Sequence, residues 1–455
     1  MVDLGLFCFV LALLALSLRS PFLAVLAYLY VDVVSPQKIS WHLLASLPVS
    51  LIVFVAAFGL WLVADDKRGT RFTPRQGLLL LLFAYCAVTT LTADFPVEAA
   101  EKWSWVWKAL VFAIFLPLTL RTRLRIEAAA LFLVLSAGSI VITGAIKTVF
   151  SGGGYGALRF FVSDNTGLYE GSTLSTAAIA MIPLIAWLAR HGTVFGQGRM
   201  VKLYALALGL SCCLIPIGTQ TRTGLLCMVL LAVLSLRTVK RRFLYVALMA
   251  AAALVAIPFL PASYTARMST IENHQADQSA STRVAVWLWT LDYVKDHPFG
   301  GGFDSYRSNR LTIQTRDAET DGNTTAVDTN TITDEARAFH SAYFEMLGEQ
   351  GWPGLGLWLA LHLSGIFQLE RVRRRLRRSD APEDRSDASL AAALQNAHLV
   401  YLLGAAFVGI AFQPFFMMLI GLEIALCAQV ARRLRPVRVP RQERPALRLA
   451  PEPLR

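Results

Sequence analysis

Long apolar runs recur along the whole chain, and they constrain its fold more than any other feature. A helix needs roughly 20 apolar residues to cross a bilayer. The candidate runs lie at residues 4–18, 21–34, 43–63, 77–92, 105–120, 127–149, 173–189, 203–217, 224–236, 243–260, 352–367, 394–411 and 415–430. The first two are short, so we expect about twelve spans without fixing the number. The predicted fold class is therefore all-α, a polytopic helical membrane protein with about 12 transmembrane helices.

Composition supports this fold class. The chain has 455 residues, of which 55% are hydrophobic and only 16% charged, and its mean hydropathy is +0.51. A soluble protein of this length would need far more charge to cover its surface. The net charge of +12 comes largely from arginines in short loops between apolar runs. Arginines in such loops report membrane orientation, so we expect a lipid bilayer and no nucleic acid as a partner.

Basic loops also predict which side of the membrane each connection faces, because lysine and arginine are enriched in cytoplasmic loops. Basic clusters occur at residues 67–75, 121–125, 190–202, 237–242 and 371–378, and again after 431. They alternate consistently from residue 43 onward. The C-terminus is therefore predicted to be cytoplasmic. The connections at 93–102, 151–172 and 218–223 and the long polar loop are predicted to face the opposite side.

We divide the chain into four regions on these grounds. Residues 1–190 are predicted to form an N-terminal transmembrane bundle. Residues 191–370 are predicted to form a core that contains one large non-cytoplasmic loop at 261–351, between late helices. Residues 371–431 are predicted to form a C-terminal hairpin. Residues 432–455, rich in proline and arginine, are predicted to be a disordered basic cytoplasmic tail.

The long loop contains its own pattern. Apolar residues at helical spacing predict a helix over 281–294, with Val284, Trp287, Leu288 and Leu291 on one face. Residues 316–335 are polar and rich in threonine and aspartate, which predicts an irregular, mobile excursion that could gate a site. Residues 336–348 are predicted to be helical again.

Four basic residues on the predicted non-cytoplasmic side need an explanation, because positive charge is disfavoured there. They are Lys147, Arg159, Arg222 and Arg283. Arg222 lies in a turn of only a few residues between two predicted spans, so it cannot extend far from the membrane. Guanidinium groups bind phosphate oxygens through planar, bidentate hydrogen bonds, and converging arginines therefore suit a pyrophosphate. The alternative is that Arg222 reaches lipid headgroups or pairs with an acid.

His340 lies where the long loop meets the next apolar run. A neutral imidazole can accept a proton near pH 7, as a general base must, although a single histidine is more often structural. Glu345 and Glu349 follow it and are candidates to orient the histidine or to bind substrate. The chain lacks a His-Glu-x-x-His pattern and calcium-loop spacing, so we expect no metal and no cofactor.

Five short motifs, in this order, resemble the bacterial O-antigen ligase and polymerase superfamily over roughly residues 203–367. They are Gln220-Thr221-Arg222-Thr223-Gly224, Ser281-Thr282-Arg283, His297-Pro298-Phe299-Gly300-Gly301-Gly302-Phe303, His340-Ser341-Ala342-Tyr343 and Gly351-Trp352-Pro353-Gly354. The stretch Ser35-Pro36-Gln37-Lys38-Ile39-Ser40-Trp41 resembles the subgroup described as O-glycosylation ligases.

The resemblance implies a metal-independent glycosyltransferase of the bacterial inner membrane with a periplasmic active site. It assigns the catalytic role to His340 and donor pyrophosphate contacts to Arg222 and Arg283. Arg159 and Lys147 are further candidates for that pyrophosphate. Gln220 stands where the family often has a small hydroxyl residue. Gln220, Tyr343, Glu345 and Glu349 are candidates to bind the acceptor or to orient the histidine.

The function implied is an O-antigen ligase that moves a glycan from undecaprenyl pyrophosphate to a sugar hydroxyl of lipid A–core, with inversion. An O-antigen polymerase and a protein O-oligosaccharyltransferase would use the same donor site, and the sequence does not separate them. A transporter of lipid-linked sugars belongs to a different class. Inverted repeats would favour a transporter, and we find no convincing internal repeat.

Overall fold

The fold is taken from a computed structural model that describes residues 2–150, 167–238, 241–244, 247, 251, 278–321 and 324–434. Its main helices are α1 (Val2–Ser17), α2 (Phe22–Val34), α3 (Pro36–Ile39), α4 (Val49–Ala64), α5 (Pro74–Leu91), α6 (Pro96–Thr119), α7 (Arg123–Phe150), α8 (Gly171–His191), α9 (Arg199–Gly218), α10 (Arg222–Ser235), α11 (Gln278–Asp296), α12 (Ala342–Leu376), α13 (Pro382–Ala405) and α14 (Pro414–Arg433). Two strands, β1 (Arg310–Asp321) and β2 (Thr324–Glu335), lie between α11 and α12.

Several described helices are suited to a membrane. Five of them, α5, α7, α8, α9 and α14, are long and apolar enough to cross a bilayer. Another four, α1, α2, α4 and α10, are apolar but shorter. The fold is thus helical and membrane-embedded, while the expected count of about twelve spans is not confirmed. The predicted span at 243–260 and the tail after residue 434 lie outside the described residues almost entirely.

One buried core joins helices from distant parts of the chain. In it α13 packs on α8 and α12, and α14 packs on α6. The predicted C-terminal hairpin therefore lies against the predicted N-terminal bundle, and the first three predicted regions share a core in the part of the chain that the structure describes. Their boundaries remain predictions.

A chain of buried polar side chains crosses this core. The Arg75 guanidinium donates to Glu423 over 2.8 Å, and Nδ1 of His398 lies 2.7 Å from the other Glu423 oxygen. Nδ1 of His362 lies 2.8 Å from Nε2 of His398. All four side chains are at most 3% exposed. Because removing one partner would leave a buried charge uncompensated, this chain fixes how α5, α12, α13 and α14 meet.

The helix predicted in the long loop is present as α11, but the apolar residues that share its predicted face are not the ones that it buries. Val286, Thr290 and Val294 are the buried side chains, at 0–2% exposure. Val284, Leu288 and Leu291 are 41–62% exposed. Trp287 of the predicted set contacts Phe339 and Phe344, as described below. The buried face of α11 is therefore rotated about the helix axis, by about one residue position, from the face that carries most of its apolar side chains.

The irregular excursion predicted at 316–335 is also wrong, because these residues belong to an antiparallel hairpin. Arg310 pairs with Glu335 at its base, and Asp321 pairs with Thr324 at its far end. The segment is rich in the β-branched residues threonine, isoleucine and valine, which favour extended backbone. The described residues are thus mainly helical but not all-α.

Candidate active site

His340 stands at a sharply defined corner between the hairpin and α12. Its backbone is left-handed, with φ of 48°, an uncommon conformation for a residue with a side chain. Phe339, just before it, is 3% exposed and packs edge-on to Tyr306, with ring centroids 5.8 Å apart. Ser341, just after it, is 1% exposed, and its carbonyl accepts from the Glu345 amide over 2.8 Å. Both neighbours are held, so the backbone at His340 is fixed.

Asn309 closes the base of the hairpin beside this corner. Its amide side chain donates to the carbonyl of Arg337 over 2.7 Å and accepts from the Arg337 amide over 2.9 Å. Its own carbonyl accepts from the amide of Ala336 over 3.1 Å. Asn309 is fully buried. Asn309 therefore fixes the chain at Arg337, two residues after β2 ends and three positions before His340.

Helix α11 supports the same corner and carries Arg283. The Trp287 indole donates to the carbonyl of Phe339 over 2.9 Å and stacks on Phe344 with ring centroids 5.0 Å apart. Arg283 lies one helical turn before Trp287 and so on the same face. Its positive charge is one of the groups that lower the pKa of His340. The structure therefore brings the predicted base and one predicted phosphate ligand together.

The start of α8 approaches the imidazole from another side. The Glu170 carboxylate caps this helix by accepting from the amides of Ser172 and Thr173. Desolvation by surrounding protein atoms is the main cause that lowers the pKa of His340, although the residue keeps an exposed surface. Arg283 and Arg337 lower that pKa further, and Glu170 opposes them. His340 is consequently neutral at neutral pH, as a proton acceptor must be.

The turn that carries Arg222 sits on these first turns of α8. Thr221 donates its hydroxyl to Ser175 over 2.9 Å, and Ser175 is hydrogen-bonded to Thr219 over 2.8 Å. Gly171 touches Thr219 so closely that a Cβ there would lie 3.3 Å from the threonine Cβ. Arg222, half-buried, is the first residue of α10. It therefore lies beside the same helix start whose cap residue faces His340.

A cation at the start of a helix is unfavourable, because the helix dipole is positive there. A bound anion would reverse this cost, and helix N-termini are suited to phosphate. Gln220, which precedes the turn, is 8% exposed and has a left-handed backbone with φ of 53°. Lys147 is in the last turn of α7, next to Thr148, which packs on Gly218 at the end of α9. Arg159 lies outside the described residues.

The remaining candidates point elsewhere. Tyr343 donates its hydroxyl to the carbonyl of Leu402 in α13 over 3.0 Å. The carboxylates of Glu345 and Glu349 both accept from Lys102 of α6, each over 2.7 Å. Sequence reasoning did not single out Lys102 or Glu170. Lys102 could have been found, because it is a cation in the predicted non-cytoplasmic connection at 93–102.

The three-glycine motif, residues 297–303, packs between α12 and the α5–α6 connection, and we call it the glycine wedge. Gly300 and Gly302 have left-handed φ values of 84° and 77°. A Cβ on Gly302 would collide with Ala93 and lie 2.8 Å from the carbonyl oxygen of Thr89. A Cβ on Gly301 would lie 2.6 Å from the Asp94 carboxylate. No side chain fits, so the motif serves close backbone packing.

Hydrogen bonding explains why the wedge meets α12 at this point. Pro353 has no amide hydrogen, so the carbonyl of Glu349 lacks its helical donor four residues on. The Gly302 amide donates to that carbonyl over 2.9 Å. Gly351 has φ of 63° and breaks the helix, and the Gly301 amide donates to the carbonyl of Gly348 over 3.1 Å. The motif thus fills the backbone positions that the kink leaves open.

We predict that Gly302→Ala lowers the free energy of unfolding by about 2–4 kcal/mol, since it combines a steric collision with a left-handed backbone. Gly356→Ala in α12, the helix that the motif contacts, is the control, because a Cβ there meets nothing within 4 Å. That control should be neutral or stabilise by up to about 1 kcal/mol. Denaturant unfolding in mild detergent measures both. Equal stability of the two variants would contradict the wedge.

The apolar helices are those of a helical, multi-pass membrane protein. Residues 204–359 match the family described as O-antigen ligase, which supports a member of the O-antigen ligase/polymerase superfamily. Residues 1–193 match a family of unknown function, DUF5935. No curated protein matches the chain. The O-antigen ligase match includes Arg222, Arg283 and His340.

Proposed function

We propose that this protein is an O-antigen ligase of the bacterial inner membrane. Its donor would be a glycan on undecaprenyl pyrophosphate, and its acceptor a sugar hydroxyl of lipid A–core at the periplasmic face. The observation that carries the proposal is the O-antigen ligase match over residues 204–359, within which His340 and Arg283 meet at one corner. Superfamily membership supports an enzyme of the ligase or polymerase kind in general.

The proposed reaction is one inverting displacement. His340 takes the proton of the acceptor hydroxyl, and the oxygen attacks the anomeric carbon of the donor from the face opposite the pyrophosphate. The bond between that carbon and the phosphate oxygen breaks, and undecaprenyl pyrophosphate leaves with the bonding electrons. The imidazolium then returns its proton to water. The products are the glycosylated acceptor and the free polyprenyl pyrophosphate.

The cations would act on the leaving group. Negative charge grows on the pyrophosphate as the bond breaks, and fixed guanidinium groups stabilise it without reorganisation. Arg222 and Arg283 are the proposed contacts, with Lys147 and Arg159 as further ones. Because these groups neutralise the charge, the proposal needs no divalent metal. Gln220 has the placement to contact the donor or acceptor near Arg222.

The test is a reconstituted assay with the purified protein, a defined polyprenyl-pyrophosphate glycan and three acceptors in parallel. The acceptors are lipid A–core, a second lipid-linked repeat unit and a pilin-like protein. We expect product on lipid A–core, with inverted anomeric configuration and an unchanged rate in EDTA. Product on the repeat unit alone would indicate a polymerase, and product on protein alone an oligosaccharyltransferase. Movement of the donor across vesicles without transfer would indicate a transporter.

The proposal also predicts how transfer depends on pH. The reaction needs neutral His340, so kcat/KM should fall as the pH drops through the pKa of this histidine, which lies below its ordinary value of about 6.5. Glu170→Gln removes a negative charge that favours the imidazolium, and should move the acid limb to lower pH. Arg337→Gln removes a positive charge and should move it to higher pH. Shifts in the same direction, or none, would contradict a rate limited by His340 protonation.

A further inference from the structure

Lys102 occupies the centre of a buried cluster next to the candidate active site. Its ammonium lies 2.7 Å from a Glu345 oxygen and 2.7 and 2.9 Å from the two Glu349 oxygens. Asp304 is 4.0 Å away, and the ring of Phe303 lies 5.5 Å from the ammonium. The side chains of Lys102, Glu345 and Glu349 are 13%, 9% and 0% exposed. The lysine therefore uses its donors inside the protein and is only slightly exposed to solvent.

This cluster joins four separate parts of the chain. Lys102 belongs to α6, and the two glutamates belong to the first two turns of α12. Glu349 also accepts from the amide of Asp304, which ends the glycine wedge, over 3.0 Å. Glu345 also accepts from the amide of Ala411, in the connection between α13 and α14, over 3.2 Å. Each carboxylate thus accepts from the Lys102 ammonium, which fixes α12 against α6. Each also accepts from one backbone amide of a neighbouring loop.

The first turn of α12 is what holds His340 in place. Ser341, the next residue, caps that turn and accepts from the Glu345 amide. Phe344 in the same turn stacks on Trp287, which holds the carbonyl of Phe339. His340 itself has a left-handed backbone that a residue with a side chain rarely adopts. Such a conformation persists only where its surroundings fix it. Lys102 fixes the N-terminal end of α12, which follows His340 directly.

We propose that Lys102 is a positioning residue for His340. It does not touch the reacting atoms. It holds the start of α12 against α6 through Glu345 and Glu349, and so sets where the imidazole stands relative to a donor bound at Arg222 and Arg283. The donor contacts lie on α10 and α11, so the lysine should affect turnover and leave donor binding unchanged. This inference rests on the proposed function for its kinetic part and on geometry alone for the rest.

The kinetic test compares full-length wild type, Lys102→Met and Lys295→Met in the reconstituted assay. Lys295 is the matched control, since it also bonds to a carboxylate, Asp292, over 2.8 Å but is 72% exposed. Displacing a reacting group by about 1 Å can cost about 100-fold. We expect Lys102→Met to lower turnover per folded molecule about 100-fold, with its Kd for undecaprenyl pyrophosphate within about threefold of wild type. Lys295→Met should match wild type in both.

A triple variant, Lys102→Met with Glu345→Gln and Glu349→Gln, separates positioning from charge compensation. It removes all three buried charges and keeps the side-chain shapes, so its thermal stability should recover relative to Lys102→Met. Turnover should stay at least about tenfold below wild type, because the two neutral amides cannot replace the charge-assisted hydrogen bonds that the Lys102 ammonium makes to the two carboxylates. Recovery of stability and turnover together would overturn the proposal, as would wild-type turnover in Lys102→Met.

A second measurement needs no glycan transfer and so remains valid if the proposed function is wrong. Nitroxide labels at Val97→Cys and Arg337→Cys, in a background without native cysteines, report the distance between the start of α6 and the His340 corner. Both sites are exposed. Lys102→Met should broaden this distance distribution, and Lys295→Met should not. An unchanged distribution in Lys102→Met would refute the positioning role whatever reaction the protein performs.

Discussion

Replacing His340 with asparagine is expected to lower the rate of glycan transfer about 1000-fold, within the usual range for loss of a general base. Asparagine is chosen because it tolerates the left-handed backbone that His340 adopts, and its amide cannot take up a proton. The loss should therefore reflect chemistry and not a distorted corner. Initial rates at saturating donor and acceptor, normalised to folded protein, measure it.

His297→Ala is the control for that experiment. His297 lies in the same loop region but is exposed, stacks on Tyr293 with ring centroids 4.2 Å apart, and belongs to the glycine motif. Its loss should leave transfer within about threefold of wild type, since no proton transfer is assigned to it. Full activity of His340→Asn would remove the base from the mechanism, and equal losses in both variants would point to a shared structural cause.

Replacing Arg222 with alanine should have the second largest effect, a fall of about 100- to 1000-fold in kcat/KM, as is typical when one preorganised donor to a developing charge is removed. Lysine at this position should restore little, because an ammonium cannot make the bidentate contact of a guanidinium. Binding of undecaprenyl pyrophosphate should weaken in parallel, unlike in His340→Asn.

Arg310→Ala is a matched control, because Arg310 lies at the base of the hairpin, is 79% exposed and pairs with Glu335. It should bind the donor and transfer glycan as wild type does. If Arg222→Ala behaved like Arg310→Ala, Arg222 would have the alternative role of contacting lipid headgroups or an acid, and the pyrophosphate site would have to lie elsewhere.

The sequence predicted the features that depend on composition and local order. Apolar runs indicated a helical membrane protein, and short motifs indicated the superfamily. The segment containing Ser281-Thr282-Arg283 was predicted to be helical and is. These predictions succeed because a segment that spans a bilayer has to be an apolar helix. A short motif, in turn, is recognised from its own residues without knowledge of the fold around it.

Two of the failures depend on contacts between segments that are distant in the chain, and the third concerns a local hairpin. Apolar spacing placed Trp287 and Leu288 on one face of α11, but the helix buries Val286, Thr290 and Val294 and leaves Leu288 62% exposed. In a membrane protein an apolar side chain need not pack against protein, so spacing alone does not identify the packed face. The hairpin was missed because polar strands with threonine and aspartate resemble an irregular loop.

The Lys102 cluster likewise could not be predicted from sequence spacing. Glu345 and Glu349, which follow His340 closely in the chain, were candidates to orient it or to bind substrate. Their actual partner lies more than 240 positions away. Nothing in local order reveals such a pairing, since a charge in an apolar interior is satisfied by whichever partner the packing brings near.

The central claim is that Arg222, Arg283 and His340 act on one bound donor. Its most direct test is the structure of the His340→Asn variant in lipid nanodiscs with a polyprenyl-pyrophosphate-linked glycan. The account predicts pyrophosphate oxygens within hydrogen-bond distance of both guanidinium groups, and the anomeric carbon facing the side chain at position 340. A donor whose pyrophosphate binds elsewhere, with both arginines engaged only by protein or lipid, would contradict it.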